Sequence, residues 1–148
     1  MIDARQTRLI LDSYRHWLGS DLIERSGSEE TDAENLFKVP FVVVSHDTSD
    51  DPILNYGNRA ALQLWEAEPA DFLKMPSRKT AEPIAREERA RMLAETAAKG
   101  FIDDYSGVRI TSKGERFFIP KAIVWNLVCD DGEHSGQAAT FGEWEFLA

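Results

Sequence analysis

The apolar positions of this chain change period several times, and each change marks an element. Over residues 3–25, Leu9, Ile10, Tyr14, Trp17, Leu18, Leu22 and Ile23 recur at three- and four-residue spacing. That spacing predicts an amphipathic helix of about six turns, with Gly19-Ser20 as a candidate interruption. Ser26 to Glu34 is polar and acidic and reads as a linker or exposed loop. Phe41 to Val44 is a β-branched run between Pro40 and the polar cluster Ser45 to Asp51, the pattern of a strand. After Pro52, Ile53 to Tyr56 is placed to pair back on it as a hairpin. Gly57-Asn58 stops the second strand, and Asn58 stands where a helix starting at Arg59 needs its N-cap. On that helix Ala61, Leu62, Leu64 and Trp65 make one apolar stripe.

Pro69, Pro76 and Pro83 punctuate the middle of the chain, and each restricts the residue before it. Only short turns fit between them, such as Ala70 to Lys74. Ile84 to Lys99 then reads as a helix stopped by Gly100, with Ala90, Leu93, Ala94 and Ala97 as its narrow buried face. Glu87 and Arg91, four apart, are expected to pair on its solvent side, so the run REERAR reads as a solvated surface. Beyond it, Val108 and Ile110 alternate with Arg109 and Thr111, and Ser112-Lys113-Gly114 supplies a hairpin turn. Phe117 to Ile119 continues, Pro120 breaks or bulges the strand, and Ala122 to Val128 forms a long one. A turn at Asp130-Asp131-Gly132 leads to a last strand, Gln137 to Phe141, which Glu143 to Phe146 can extend. This order predicts an α+β fold: a five-stranded antiparallel sheet with helices covering one face, plus the N-terminal helix. The expected division is a helix and acidic linker over 1–35 and one module over 36–148.

Length and charge narrow the function classes. A chain of 148 residues is one domain by prior and buries roughly 68–70% of its unfolded surface without help from disulfides or metals. Its single cysteine, Cys129, excludes an internal disulfide framework and fits a reducing compartment. No apolar run approaches a membrane span and no leader pattern opens the chain, so the expected location is the cytoplasm, without membrane association. A net charge of −9 works against binding nucleic acid directly.

Five strings now carry a resemblance: PFVVVSHDTSDDPILNYGNRAALQLWE, PSRKTAEPIAREERARML, GFIDDYSGVRI, IVWNL and GQAATF. Together, over about Leu36 to Trp144, they resemble the MEKHLA domain. Strand, strand and Asn-capped helix is also the opening order of a PAS domain. MEKHLA domains are PAS-like, occur alone in bacteria and algae, and form the C-terminal module of plant class III homeodomain–leucine-zipper proteins. This chain has neither a homeodomain nor a zipper, so the plant transcription role does not carry over. The resemblance implies a PAS-like sensory or interaction module.

Candidate chemistry is sparse. Ser45-His46-Asp47 are neighbours in an extended segment and point to alternate sides, so turn hydrogen bonding suits them better than a catalytic triad. His16, His46 and His134 are isolated, and neither Asp50-Asp51 nor Asp103-Asp104 has the spacing of a calcium loop. Haem, flavin and metal have no support in the sequence; flavin photosensors of the PAS class carry a cysteine within a helix motif, whereas Cys129 ends a predicted strand. A ligand cavity is the stronger candidate, built from Tyr56, Trp65, Tyr105, Arg109, Trp125 and Asn126. The bland reading makes the aromatics plain core and turns Arg109 to solvent, opposite Val108 and Ile110; one of Trp125 and Asn126 should face the helices. Arg78, Thr80 and Glu82 form a polar knot between prolines, in which Arg78 can clamp a carboxylate or pair with Glu82. The stripe of the first helix either packs on its own domain or mediates a homodimer through Ile10, Tyr14, Trp17 and Leu18.

The expected function is therefore a non-enzymatic sensory or regulatory module that binds a small molecule or a protein partner, working as a homodimer. Two alternatives compete with it. One is a small cavity-type enzyme using Tyr105 with Asp103 or Asp104, and the other is a ligand-free protein–protein scaffold.

Overall fold

A computed structural model of the chain describes residues 2–82 and 86–147. Among these, six strands form one antiparallel sheet: β1 (Val42–His46), β2 (Leu54–Gly57), β3 (Phe101–Ile110), β4 (Arg116–Val128), β5 (His134–Phe141) and β6 (Glu145–Phe146). Their order is β2-β1-β5-β4-β3, so the N-terminal hairpin joins the late strands through β1 and β5. β6 does not extend β5. It pairs Phe146 with Phe117 and Glu145 with Phe118, on the stretch of β4 that β5 leaves without a partner.

Two bulges in the β3–β4 ladder set which side chains point inward. Gly107 lies opposite Ile119 and Tyr105 opposite Ala122, so Pro120-Lys121 supplies an extra residue on β4. Ile102 lies opposite Val124, so Asp103-Asp104 supplies one on β3 in return. Phe117, Ile119, Ala122 and Val124 thereby all face one side, whereas Asp103 and Asp104 are exposed.

The helices are α1 (Ala4–Leu18), α2 (Glu29–Lys38), α3 (Arg59–Trp65), α4 (Pro69–Phe72) and α5 (Arg86–Lys99), with a 3-10 turn at Ser77–Thr80. α1 is shorter than the expected span because Gly19 takes a left-handed conformation (φ 78°) and donates back to the Arg15 carbonyl. Leu22 and Ile23 still pack on the same cluster, as loop residues. α2 occupies much of the segment read as a linker. Its acids were the misleading signal: Glu29, Glu30 and Asp32 sit in the first turn, where the helix dipole favours them, behind the N-cap Ser28. Asp32 is buried and accepts from Ser26 N and Ser26 Oγ, both at 2.8 Å.

One sheet face carries Val43, Tyr56, Trp125, Leu127 and Ala138 against Ile10, Leu11 and Tyr14 of α1 and Leu36 of α2. Ile10, Tyr14, Trp17 and Leu18, the residues considered for a dimer, pack here against the chain's own sheet. Tyr14 meets the Trp125 ring edge-on at 5.0 Å, and Trp17 Nε1–H donates to the Asn126 carbonyl at 2.9 Å. The other face carries Val42, Leu54, Phe117, Ile119 and Phe141 against α3 and α4, and Ile102 and Val124 against Met92 of α5.

α5 corrects the expected buried face. Ala90, Ala94 and Ala97 are exposed, Leu93 is half-buried, and the buried positions are Arg89, Met92 and Thr96. Two polar side chains occupy the inward stripe because each finds a local partner: Thr96 Oγ1 donates to the Met92 carbonyl at 2.9 Å, and Arg89 donates to Ser77 Oγ. The basic run is therefore not wholly a solvated side. Pro83 and Ile84, where the helix is expected to start, lie outside the described residues.

Asn58 joins four segments. Its Oδ1 accepts from Ala61 N (3.2 Å), capping α3, and from Val43 N (3.1 Å) in β1. Its Nδ2 donates to the Leu36 carbonyl (3.2 Å) and the Phe41 carbonyl (2.9 Å), and the residue is fully buried. Asn58→Ala strands those groups, each at about 1–3 kcal/mol, and is expected to lower unfolding free energy in urea by roughly 3–5 kcal/mol. Asn58→Asp keeps the cap but sets lone pairs against two carbonyls, and should cost a comparable amount. An Asp variant as stable as the parent would remove the donor half of this account.

Candidate functional site

The face covered by α3–α5 is not completely filled. A cavity of about 70 Å³ remains between these helices and the sheet, room for a few waters or a small solute. Val44 and Ala139 show its effect on the core. They are paired neighbours in the middle of the sheet, yet only half-buried, because the space above them is open. The wall is mainly apolar, from Leu54, Trp65, Phe72, Ile119, Val124 and Phe141 among others.

Two arginines enter this apolar space. Arg89 comes from the inward stripe of α5 and Arg109 from β3, and each is 7% exposed. Arg109 is not turned to solvent as its alternation suggested. The bulge at Asp103-Asp104 shifts the parity of β3, so Arg109 stands opposite Phe117 on the cavity side, and Val108 and Ile110 take the half-covered face. Its guanidinium carbon lies 5.2 Å from the centre of the Tyr105 ring, and Nη1 donates to the Val108 carbonyl at 2.9 Å. Burial pushes the Arg89 guanidinium down to about 10, and the neighbouring Arg109 charge acts in the same direction. Arg89 therefore remains charged at neutral pH.

His46 faces the same cavity from β1. Its Nδ1 lies 2.9 Å from the Asp47 carbonyl, which can only accept, so Nδ1 carries the proton and Nε2 presents a lone pair. Nε2 is buried with no partner among the described residues, as is Trp65 Nε1–H on the same wall. Burial, chiefly, holds the His46 imidazole below its usual range; the Asp47 carbonyl opposes this and the Arg89 charge adds to it. Ser45 points the other way, accepting from Gln6 of α1 at 3.1 Å and donating to Asn55 at 2.6 Å, while Asp47 is used in a turn by Ser49 and Ile53. No triad is assembled.

Of the six ligand candidates, Trp65, Tyr105 and Arg109 line the cavity. Tyr56 and Trp125 lie on the α1 face, where burial pushes the Tyr56 hydroxyl up to about 12. Asn126 faces α5 but is spent holding it: it donates to the Ala97 carbonyl at 3.3 Å and accepts from Gln137, which also donates to the Leu93 carbonyl at 3.0 Å. In the polar knot, Arg78 pairs with Asp51 at 3.1 Å rather than with Glu82, whose partner is Arg116 at 3.7 Å. The 3-10 turn aims Arg78 outward, and only Thr80 reaches the cavity. Asp103 and Asp104 stay on their exposed bulge, away from the inward Tyr105. Arg89 and His46 are the site residues that sequence reasoning missed. The signal for Arg89 was its three- and seven-residue spacing to Met92 and Thr96, masked because two of those three residues are polar. Among the described residues no three His, Cys, Asp or Glu side chains gather as a metal site, and no helix is long and apolar enough to cross a membrane.

Comparison with known proteins agrees with this architecture. The family model of the MEKHLA domain matches residues 4–146, a span that includes α1. The chain is 21% identical over 148 residues to the homeobox-leucine zipper protein HOX10 of Oryza sativa subsp. indica, covering 97% of this chain and 17% of that protein. HOX29 of the same subspecies is 24% identical over 150 residues, with the same shares covered. The chain thus spans about a sixth of the length of these relatives. Among solved structures, it is similar to the PAS domain of a Colwellia psychrerythraea protein (TM-score 0.66, 12% identity, 74% of this chain and 91% of that one). A light-oxygen-voltage domain studied with a flavin analogue gives TM-score 0.62 at 12% identity, covering 83% and 89%. The light-oxygen-voltage domain of a blue-light activated histidine kinase from Erythrobacter litoralis gives 0.54 at 18%, covering 75% and 99%. These likenesses show a PAS-type fold.

The His46 environment makes a pH prediction. The unfolded chain takes up a proton at this side chain near pH 6.5, the folded chain only at lower pH. Between those values the unfolded state binds more protons, so stability falls as pH drops. The thermal midpoint of the parent should fall more between pH 7.5 and 5.5 than that of His46→Gln. Parallel profiles would take His46 out of the pH dependence.

Proposed function

The chain belongs to the MEKHLA domain family, and from that premise we propose that it is a PAS-like sensory or regulatory module whose signal is a small molecule held between the sheet and α3–α5. The observation that carries this reading is the cavity itself, an apolar chamber into which a few buried polar groups project without partners. Its walls come from nearly every element of that face. A guest there can bias how α5 sits on the sheet, through the Arg89–Ser77, Asn126–Ala97 and Gln137–Leu93 contacts.

The chamber's size favours a guest smaller than the flavin of light-oxygen-voltage domains. Sites for ligands of that size run to about 300–1,000 Å³, well above the cavity here, and Cys129 is exposed in the β4–β5 turn rather than beside the chamber. The enzyme alternative loses its carboxylate, since Asp103 and Asp104 lie outside. A scaffold acting through a broad apolar patch is also disfavoured: Ile2, Phe146 and Leu147 are the well-exposed large apolar side chains among the described residues.

Native mass spectrometry of the protein purified from its own host tests the proposal, with Ala139→Leu as the companion variant. The parent is expected to carry one small molecule per chain. The variant, which projects a larger side chain into the void, should lose it while its thermal midpoint holds or rises. A compound retained equally by the variant would place the ligand elsewhere, and a parent that carries and binds none would remove the reading.

A further inference from the structure

We infer that the cavity's ligand is a small organic carboxylate, its anionic head received by Arg89 and Arg109 and its apolar body by Trp65 and Phe141. The inference rests on the small-molecule reading above and adds the ligand's charge and shape. It starts from an imbalance. Two arginines, each only 7% exposed as a residue, line one apolar chamber, and among the described residues neither has a carboxylate partner. The acid whose field reaches Arg89 is Asp51, which is exposed and already bonded to Arg78.

A buried charge normally keeps a partner because losing water is costly, and two like charges side by side raise that cost. The bonds found here are too few to offset it. Of the five N–H donors of each guanidinium, Arg89 commits one to Ser77 Oγ and Arg109 one to the Val108 carbonyl. Both side chains line the chamber, and no other side-chain hydrogen bond from either is found among the described residues. Trp65 Nε1–H, buried and unpartnered on the same wall, adds another donor. An anion supplies what this set lacks, and a planar carboxylate matches the guanidinium fork. The small volume and mainly apolar wall select a short organic body behind the head.

The test uses the full chain after dialysis, at fixed ionic strength and pH 7.5. Calorimetric titrations compare sodium butyrate, isovalerate and benzoate with their primary amides, and with sodium phosphate. At least one carboxylate is expected to bind no less than tenfold more tightly than its amide and than phosphate. Arg89→Met and Arg109→Met should each weaken it at least tenfold. Their ligand-free thermal midpoints should hold or rise, since each removes one of two unpaired like charges; a marked fall would reveal a partner within the chain and overturn the inference. Amides binding as well as acids would overturn it too, as would phosphate binding as well as the carboxylates. A neutral or cationic compound co-purifying from the host would overturn the carboxylate while leaving the sensory reading standing. No co-purifying compound and no binding by any acid or amide would remove both.

Discussion

The structure depends on one buried amide. Asn58 stands where the end of α2, the entry to β1 and the start of α3 meet, and its side chain makes four hydrogen bonds across that buried junction, beside the backbone bond from Asn58 N to the Val43 carbonyl at 3.1 Å. An amide is the side chain that suits it, because two acceptors and two donors must be met from one position. With the junction fixed, β1 is aligned between β2 and β5, and α3 leaves at an angle that brings Trp65 over Phe117 and Phe141. Every later contact on that face is measured from this start.

The two faces of the sheet then follow different packing rules. Against α1 and α2, the sheet presents Trp125 and Leu127, both fully buried, and the helix answers with Ile10, Leu11 and Tyr14, so that layer is closed. Against α3–α5, the sheet presents Phe117, Ile119 and Phe141 towards Trp65, but at its centre it carries Val44, Ala139 and Ala122, small residues that leave space where the other face has a tryptophan. Both faces are thus bulky, and only the second keeps a chamber at its centre. That asymmetry suits a module that must stay folded whether or not the chamber is occupied.

Much of this was legible in the sequence, for identifiable reasons. The β1–β2 hairpin, the Asn58 cap and the late strands announce themselves through period-two patterning and turn residues that need little tertiary context. The cavity-lining role of Trp65 and Tyr105 was within reach because aromatics mark interiors. What escaped were polar groups buried by design. Arg89 lies in a run that reads as solvated, Asp32 in a run that reads as linker, and Arg109 on the wrong side of an alternation that assumes an unbroken ladder. Hydrophobic patterning has no symbol for a polar residue turned to the inside, so these positions appear only once the register is known.

The bulges show how that register makes the site. Without the extra residue at Asp103-Asp104, the alternation that puts Ile102 inside would put Val108 and Ile110 inside as well and turn Arg109 and Tyr105 outward. The opposing bulge at Pro120-Lys121 keeps Phe117 and Ile119 on the core side despite the shift. Each irregularity alone would misalign one strand against the other. Together they restore the ladder beyond Gly107 and change only which side chains of β3 enter the chamber. A strand edge built for stability has no need of this pair, since Val108 and Ile110 would serve as core. Exchanging two aliphatic residues for a tyrosine and a buried arginine lowers what the core can contribute. The return on that exchange is a charged, donor-rich wall facing Arg89, which is why we assign the chamber to an anionic guest rather than to packing.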